Sequence, residues 1–464
     1  MLRRRRHPEA EAARAAEGRE EAHEAGGERA DSPVGLCRSI EVESGGVTER
    51  PDSSSLSPDP LTETPEPAAP GLYVHVPFCS RICPYCDFAV TPLGGPGSER
   101  LDRYRHALLT ELEIRAAALG ADTVYFGGGT PSLAPAGFFR EVALAASERG
   151  LASPSPFIFL EANPEDLVHD PELARQWAAE EIWGVSLGVQ ALDESRLRFL
   201  GRAHNASDAA VAVSRLAEAG IPWISVDLIY GTAGQTPESL REELCAMVAL
   251  PGVNHISAYE LSIELGTPFG RRQARGETLT ARSEDGSALF RAVHETLAEN
   301  GFVAYEACNF ASAPEFRSRH NRKYWSLVEY LGVGPSAHSF APERGERFWN
   351  RRAFEDWEEA ILRGEKPTAE RETLRPYERA LEEVFLRLRT TDGLPLGGFS
   401  ARYGEAVVRA NRRLFGKWRA RGLVELRGDE MTGCLRPTRD GLAVADALAR
   451  EMNLDALTAD RDAA

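Results

Sequence analysis

The stretch GLYVHVPFCSRICPYCDFAV, residues 71–90, decides how the rest of the chain is read. Leu72, Tyr73, Val74, His75 and Val76 form a strand, and Pro77 ends the run. Directly behind it stand Cys79, Cys83 and Cys86, spaced C-x3-C-x2-C. Three thiolates on one short loop suit three irons of a cubane [4Fe-4S] cluster and leave the fourth iron open to a small molecule. The competing reading is half of a zinc site, which wants a fourth Cys or His nearby. None follows within the next fifteen residues. A disulfide is disfavoured, since no secretory signal precedes the loop and Cys37, Cys245, Cys308 and Cys434 are scattered.

The chain has 464 residues, long enough for two or three domains. Its 71 acidic and 54 basic residues leave a formal charge of −17, which disfavours bulk electrostatic binding to nucleic acid or a membrane surface. No apolar run approaches the roughly 20 residues of a membrane-spanning helix. Seven cysteines, three of them clustered, fit a reducing cytoplasm, the expected location. Residues 1–70 hold 9 Arg against 15 acidic residues and almost no aromatics. Such a segment cannot bury enough apolar surface to offset its ordering entropy, and disorder is expected there.

From Gly71 onward short apolar runs alternate with helical patterns. Strands are expected at 71–77, 122–127, 157–162, 183–189, 223–229 and 254–260. Leu101, Tyr104, Leu108 and Leu112 mark one helical face; Ser207 precedes another helix, which Gly220 closes, and Thr236-Pro237 starts a third. Alternating strands and helices imply right-handed βαβ units around a parallel sheet. Six units suit a partial (β/α)6 TIM-like barrel; a doubly wound sheet gives the same periodicity. In either, ligands meet the C-terminal ends of the strands. There the second strand runs into Gly127-Gly128-Gly129-Thr130-Pro131, where glycines allow close backbone approach. Glu161, Gln190 and Asp227 stand at the ends of the next three strands, and Arg202 follows one helix later. A carboxylate at such a mouth accepts from hydroxyls or an ammonium, and arginine clamps a carboxylate.

C-x3-C-x2-C after a first strand resembles the radical S-adenosylmethionine (SAM) superfamily. HVPFCSRICPYCDF is similar to its branch of oxygen-independent coproporphyrinogen III oxidases and HemW-type haem chaperones, over about 71–451. The resemblance implies the radical SAM partial barrel over 71–300. It also implies a cluster on Cys79, Cys83 and Cys86, and SAM held by Tyr73, Tyr85, Asp87, Gly128, Gly129, Thr130, Glu161, Gln190, Arg202 and Asp227. In the superfamily, reduction of the cluster cleaves SAM to methionine and a 5′-deoxyadenosyl radical. One departure is GTAGQT at 231–236, where the branch usually has GLPGQT.

Two features separate the members of the branch. The oxidases carry a further cysteine two residues after the third cluster cysteine, where this chain has Phe88, and a PRYTSYP-like run absent from 1–70. HNRKYW at 320–325 matches the HNxxYW pattern of HemW-type chaperones, which makes His320 the expected haem residue in a barrel extension over 301–375. His338 in SAHSF is a second candidate, read in preference as structural, and His75 reads as a core or supporting group. Residues 376–453 read as helices plus a hairpin, a winged-helix-like domain, before a loose tail at 454–464. Arg409, Arg412, Arg413, Lys417, Arg419 and Arg421 cluster there, but the branch uses this module as a lid or docking unit, and no nucleic acid is expected. The implied function is haem binding and transfer to acceptor proteins such as respiratory enzymes. The alternative is SAM-dependent oxidative decarboxylation of coproporphyrinogen III. The reading leaves room for peripheral membrane contact and for a homodimer.

Overall fold

A computed structural model describes residues 66–93 and 99–457. Most of the N-terminal extension, with Cys37, and the end of the C-terminal tail lie outside the described residues. All six expected strands form: β1 (Gly71–Val76), β2 (Ala121–Gly128), β3 (Ala152–Ala162), β4 (Ile182–Gln190), β5 (Trp223–Tyr230) and β6 (His255–Glu260). Each pairs in parallel with the next, in unbroken sequential order. A doubly wound sheet reverses its order at a switch point. No reversal occurs here, so right-handed crossovers place every helix on one side, and the sheet curls. One cavity is lined from all six strands at once, as only a curled sheet permits.

Side-chain alternation assigns the two faces. Leu72, Val74 and Val76 of β1, Val124 and Phe126 of β2, and Ile224, Val226 and Leu228 of β5 point to the helices and are buried in the main core. The other parity carries Tyr73, Tyr125, Glu161, Ser186 and Asp227 into the lumen. Core and site are therefore two faces of the same strands, and a one-residue register slip would exchange them.

The sheet does not close. Beyond β6 it adds the short antiparallel strands Asn309–Ala311 and Val303–Ala304. On the other side β7 (Tyr330–Val333) pairs in parallel with β1, and β8 (His338–Ala341), β9 (Glu346–Asn350) and β10 (Thr368–Thr373) follow antiparallel. Helix Ala206–Glu218 is capped by Asn205, in a capping box with Asp208, and not by Ser207, which lies within it. Thr236 caps the helix starting at Pro237, as expected.

Helix Pro376–Leu388 opens a second core around Val384, Phe399 and Trp418. It contains β11 (Leu394–Pro395), two helices, then β12 (Val424–Arg427) and β13 (Cys434–Pro437), in the sheet order β11-β13-β12 of a winged helix. Thr438 accepts from the Gly441 amide at 3.1 Å, but the helix it caps ends at Leu442 and a separate one runs Ala445–Glu451. Leu454 is buried in this core, so the tail starts later than its composition suggests. Residues 66–70 are likewise docked: Glu66 pairs with Arg387 at 2.6 Å, and the Ala69 carbonyl accepts from Lys323 at 2.6 Å. Arg412 pairs with Glu430 and Arg409 with Glu405, which spends part of the basic cluster internally.

Candidate cluster and nucleotide site

The cysteine loop is closed at its base. Phe78–Cys79 pairs with Thr91–Pro92, and the amides of Thr91 and Leu93 donate to the Pro77 and Cys79 carbonyls at 2.6 and 3.0 Å. His75 ties the loop to β1: Nε2 lies 2.9 Å from the Ala89 carbonyl and Nδ1 lies 3.0 Å from the Tyr73 hydroxyl. A carbonyl only accepts, so Nε2 carries the proton and Nδ1 accepts from Tyr73. Burial lowers His75 to about 4 and keeps the ring neutral. His75 is thus a supporting group, as its place in the strand suggests.

Burial pushes the Cys79 thiol up to about 11 and raises that of Cys86 as well. Such thiols become thiolates only when a cation supplies the missing stabilisation, and iron does so. Among the described residues no three Cys, His, Asp or Glu side chains converge on a point, as ligands to a single metal ion must. A cubane takes one thiolate per iron, so its ligands stand apart.

The glycine loop packs against this strand. The amides of Gly129 and Thr130 donate to the Val76 and Phe78 carbonyls at 2.8 and 2.7 Å, and that of Gly128 to Glu161 Oε2 at 2.9 Å. With three amides committed, a ligand group held here has to be a donor such as an ammonium. A Cβ on Gly129 would lie 2.4 Å from the Phe78 carbonyl oxygen and 2.8 Å from that of Val76. Gly129→Ala is therefore expected to displace the strand carrying Cys79, at a cost of about 1–3 kcal/mol. A fall in both urea midpoint and reconstituted iron content checks this; an unchanged midpoint would show the contact to be soft.

Arg202 joins the cluster loop to the strand ends. Nη1 donates to Cys83 Sγ at 3.4 Å, and Nη2 donates to Asn163 Oδ1 and, at 2.9 Å, to the Gly188 carbonyl. Burial works against its charge, but Tyr85, Cys83 and Glu165 outweigh it, so protonation is favoured overall. Gln190 closes β4 with a left-handed φ of 66°, and its buried Oε1 has no partner. An orphaned acceptor beside an arginine whose buried Nε is also unpaired is what a site for a polar ligand leaves behind. The cysteines, Arg202 and Gln190 together fit the expected cluster and nucleotide. Asp87 is exposed on the loop.

Glu161 and Asp227 share the lumen cavity of about 180 Å³ with Tyr73, Tyr125 and Ser186. Glu161 also accepts from the Tyr125 hydroxyl at 3.1 Å, and Ser186 donates to Asp227 at 3.0 Å. Burial, and then the charge of Asp227, raise Glu161 to about 7 despite those hydrogen bonds. Burial raises Asp227 to about 6, opposed by three serine hydroxyls.

His320 is placed differently from the ligand position its motif suggests. It lies at the N-terminal end of the barrel, 1% exposed, with Nδ1 2.9 Å from Thr123 Oγ1 and Nε2 2.8 Å from the Tyr324 hydroxyl. It stacks on Tyr125 at 5.0 Å, and burial lowers it to about 3. Both nitrogens are engaged, so coordination would first require the ring to leave this position. Asn321 and Tyr324 of the same motif line the lumen cavity, Lys323 pairs with Asp122 at 2.5 Å, and Trp325 packs on Tyr305. The motif forms the barrel floor. Asn163, Tyr125, Ser186 and Glu165 were absent from the sequence reading; Asn163 was signalled only by its place in LEANP.

Residues 73–244 match the model of the radical SAM superfamily, and residues 374–444 that of the HemN C-terminal domain. The chain is 35% identical over 396 residues to the heme chaperone HemW of Mycobacterium tuberculosis, covering 84% of this chain and 96% of that one. It is 34% identical over 338 residues to heme chaperone HemW of Lactococcus lactis, covering 71% and 84%. Its fold is similar to that of the coproporphyrinogen III oxidase HemN of Escherichia coli, with a TM-score of 0.70 at 20% identity over 83% of this chain and 90% of that one. The similarity to HemN extends through the winged-helix-like region, and that to HemW spans nearly the whole length of its mycobacterial member. The chain belongs to the HemW family of the radical SAM superfamily.

Proposed function

We propose that the chain binds haem and delivers it to acceptor proteins, on a scaffold that holds a [4Fe-4S] cluster and SAM. The observation that carries this is the match to proteins named heme chaperone over most of their length. Phe88, 57% exposed where the oxidases have a cysteine, supports it. Among the described residues no helix is long and apolar enough to cross a membrane, and action in the cytoplasm is part of the proposal.

In this reading Cys79, Cys83 and Cys86 hold the cluster, which supplies one iron with an unfilled position and one-electron chemistry. Carbonyls around Gly128–Thr130 receive the amino group of SAM, Arg202 its carboxylate, and Gln190, Glu161 and Asp227 its donors. Tyr73 and Tyr85 wall the site, with Asp87 at the rim. Haem titration of the anaerobic protein tests the function. A saturable Soret change, without conversion of coproporphyrinogen in the presence of SAM and reductant, is expected. Turnover at an enzyme-like rate would favour the oxidase reading.

A pH dependence follows from the two lumen carboxyls. Their folded values lie above the ordinary 4.5 and 3.8, at about 7 and 6, so the ligand-free protein loses stability as pH rises across that window. A cationic ligand needs both ionised. SAM binding is therefore expected to tighten on the order of tenfold or more between about pH 5.5 and 7.5. Glu161→Gln should flatten the profile measured by calorimetry; the same slope in wild type and variant would remove Glu161 from the site.

A further inference from the structure

A row of buried polar groups crosses the wall of the lumen and ends at Asp227. Parallel register sets Ser225 of β5 beside His255 of β6 and Asp227 beside Ser257. His255 is 1% exposed, with Nδ1 2.7 Å from Ser225 Oγ and Nε2 2.7 Å from the Tyr305 hydroxyl. That hydroxyl accepts from the Ser318 amide at 3.1 Å. Ser225 Oγ stands 3.5 Å from Asp227 Oδ1 and 3.5 Å from Ser257 Oγ, and Ser257 hydrogen-bonds Asp227 as well. Trp223 packs on the imidazole, 4.8 Å between ring centres, and keeps it in the row.

One placement of the hydrogens satisfies all of these groups. Burial lowers His255 to about 3, so the ring is neutral and one nitrogen donates while the other accepts. With the hydrogen on Nε2, Tyr305 would accept twice. Its own hydroxyl hydrogen, on a residue 1% exposed, would then have no acceptor among the described residues. With the hydrogen on Nδ1, Tyr305 donates to Nε2, Nδ1 donates to Ser225, and the serine hydroxyl turns to Asp227 directly or through Ser257. Every hydrogen in the row then points toward the carboxylate. We infer that His255 and Tyr305 are positioning residues for the nucleotide: they fix the direction of the serine hydroxyls and so hold Asp227 as an acceptor. This point of the lumen therefore takes a ligand hydroxyl or ammonium and turns away a ligand acceptor. The inference rests on the SAM-binding reading above. It gives a part in ligand selection to the start of β6, at the opposite end of the parallel strands from the cysteine loop. The other ionisable groups whose charge reaches Asp227 are Glu161 on β3, Tyr125 on β2, Tyr259 on β6 and Arg202 after β4.

The test is calorimetry of SAM binding to the cluster-loaded full chain between pH 5.5 and 8, with those four groups left intact. His255→Phe keeps a ring and removes both nitrogens, and should weaken binding on the order of tenfold. A carboxylate that loses a donor is harder to ionise, so the midpoint of the pH profile should also move up by about 0.5–1. His255→Gln should recover much of both, because one amide accepts from Tyr305 and donates to Ser225. Tyr305→Phe, a milder change, should move the midpoint the same way by less, and it decides the matter if His255→Phe does not fold. Iron content and circular dichroism should match wild type in every folded variant. A midpoint that stays at the wild-type value in the folded variants, or equal losses for His255→Gln and His255→Phe, would overturn the positioning role and leave SAM binding standing. No binding of SAM by wild type would overturn the SAM reading itself, and this inference with it.

Discussion

Cys83→Ala is expected to leave the protein folded and without its cluster. Iron and sulfide should fall to background after anaerobic reconstitution, and the sulfur-to-iron charge-transfer absorption should disappear. Cys83 is half-buried on the loop and outside the apolar core, so removing its thiol opens no cavity among the core residues. The loss falls on the metal. With two thiolates left, two irons of a cubane lack protein ligands, and the neighbouring thiols return to protonated forms that burial favours. Arg202 also loses the sulfur it reaches at 3.4 Å. Stoichiometric iron in the variant would mean that Cys83 is no ligand.

Glu111→Ala carries the largest expected cost in stability. Glu111 is fully buried on helix Glu99–Ile114. Its carboxylate accepts from Arg115 at 2.7 Å, Asn350 and the Gly334 amide at 2.8 Å each, and the Trp357 indole at 2.9 Å. Four donors from four segments converge on one group and pin the sheet extension to the barrel. Removing it takes the carboxylate from a buried guanidinium, whose side chain is 5% exposed, and from the N–H groups of Asn350, Gly334 and Trp357. A loss of about 3–5 kcal/mol is expected, read from the urea midpoint at constant slope. Glu111→Gln, which keeps an acceptor and gives up the charge, should lose less. A loss below about 1 kcal/mol for the alanine variant would mean that the extension docks by its apolar contacts alone.

Much of the barrel was legible because its signals are local. Period-two alternation marks β5, where Ile224, Val226 and Leu228 alternate with Trp223, Ser225 and Asp227, and strand ends mark where ligands meet the sheet. The winged-helix-like segment was legible from helical spacing around Val384 and Trp418. A barrel extension over 301–375 was expected, but its strands were not read, because β7–β10 are short and their pairing depends on partners far along the chain. Glu111 carries no signal in the sequence, since nothing nearby announces Asn350 or Trp357. The docking of residues 66–70 was hidden for the same reason: Glu66 finds Arg387 across 321 positions.

Histidines were the least legible. HNRKYW predicts an accessible imidazole at 320, and the fold buries it between Thr123 and Tyr324. His338, read in preference as structural, is exposed, and its ring stacks on Trp349. Sequence spacing places both on short elements and is silent on which side of the sheet becomes the barrel floor. That depends on β1 pairing with both β2 and β7.

In the proposed function, three thiolates leave one iron open to SAM beside Arg202 and Gln190. Electron paramagnetic resonance of the reduced, anaerobically purified protein, recorded with and without SAM, tests it most directly. A [4Fe-4S] signal whose g-values shift when SAM is added is expected, with a smaller shift in Arg202→Ala. A spectrum identical with and without SAM, or protein that carries zinc in place of iron and sulfide, would contradict it.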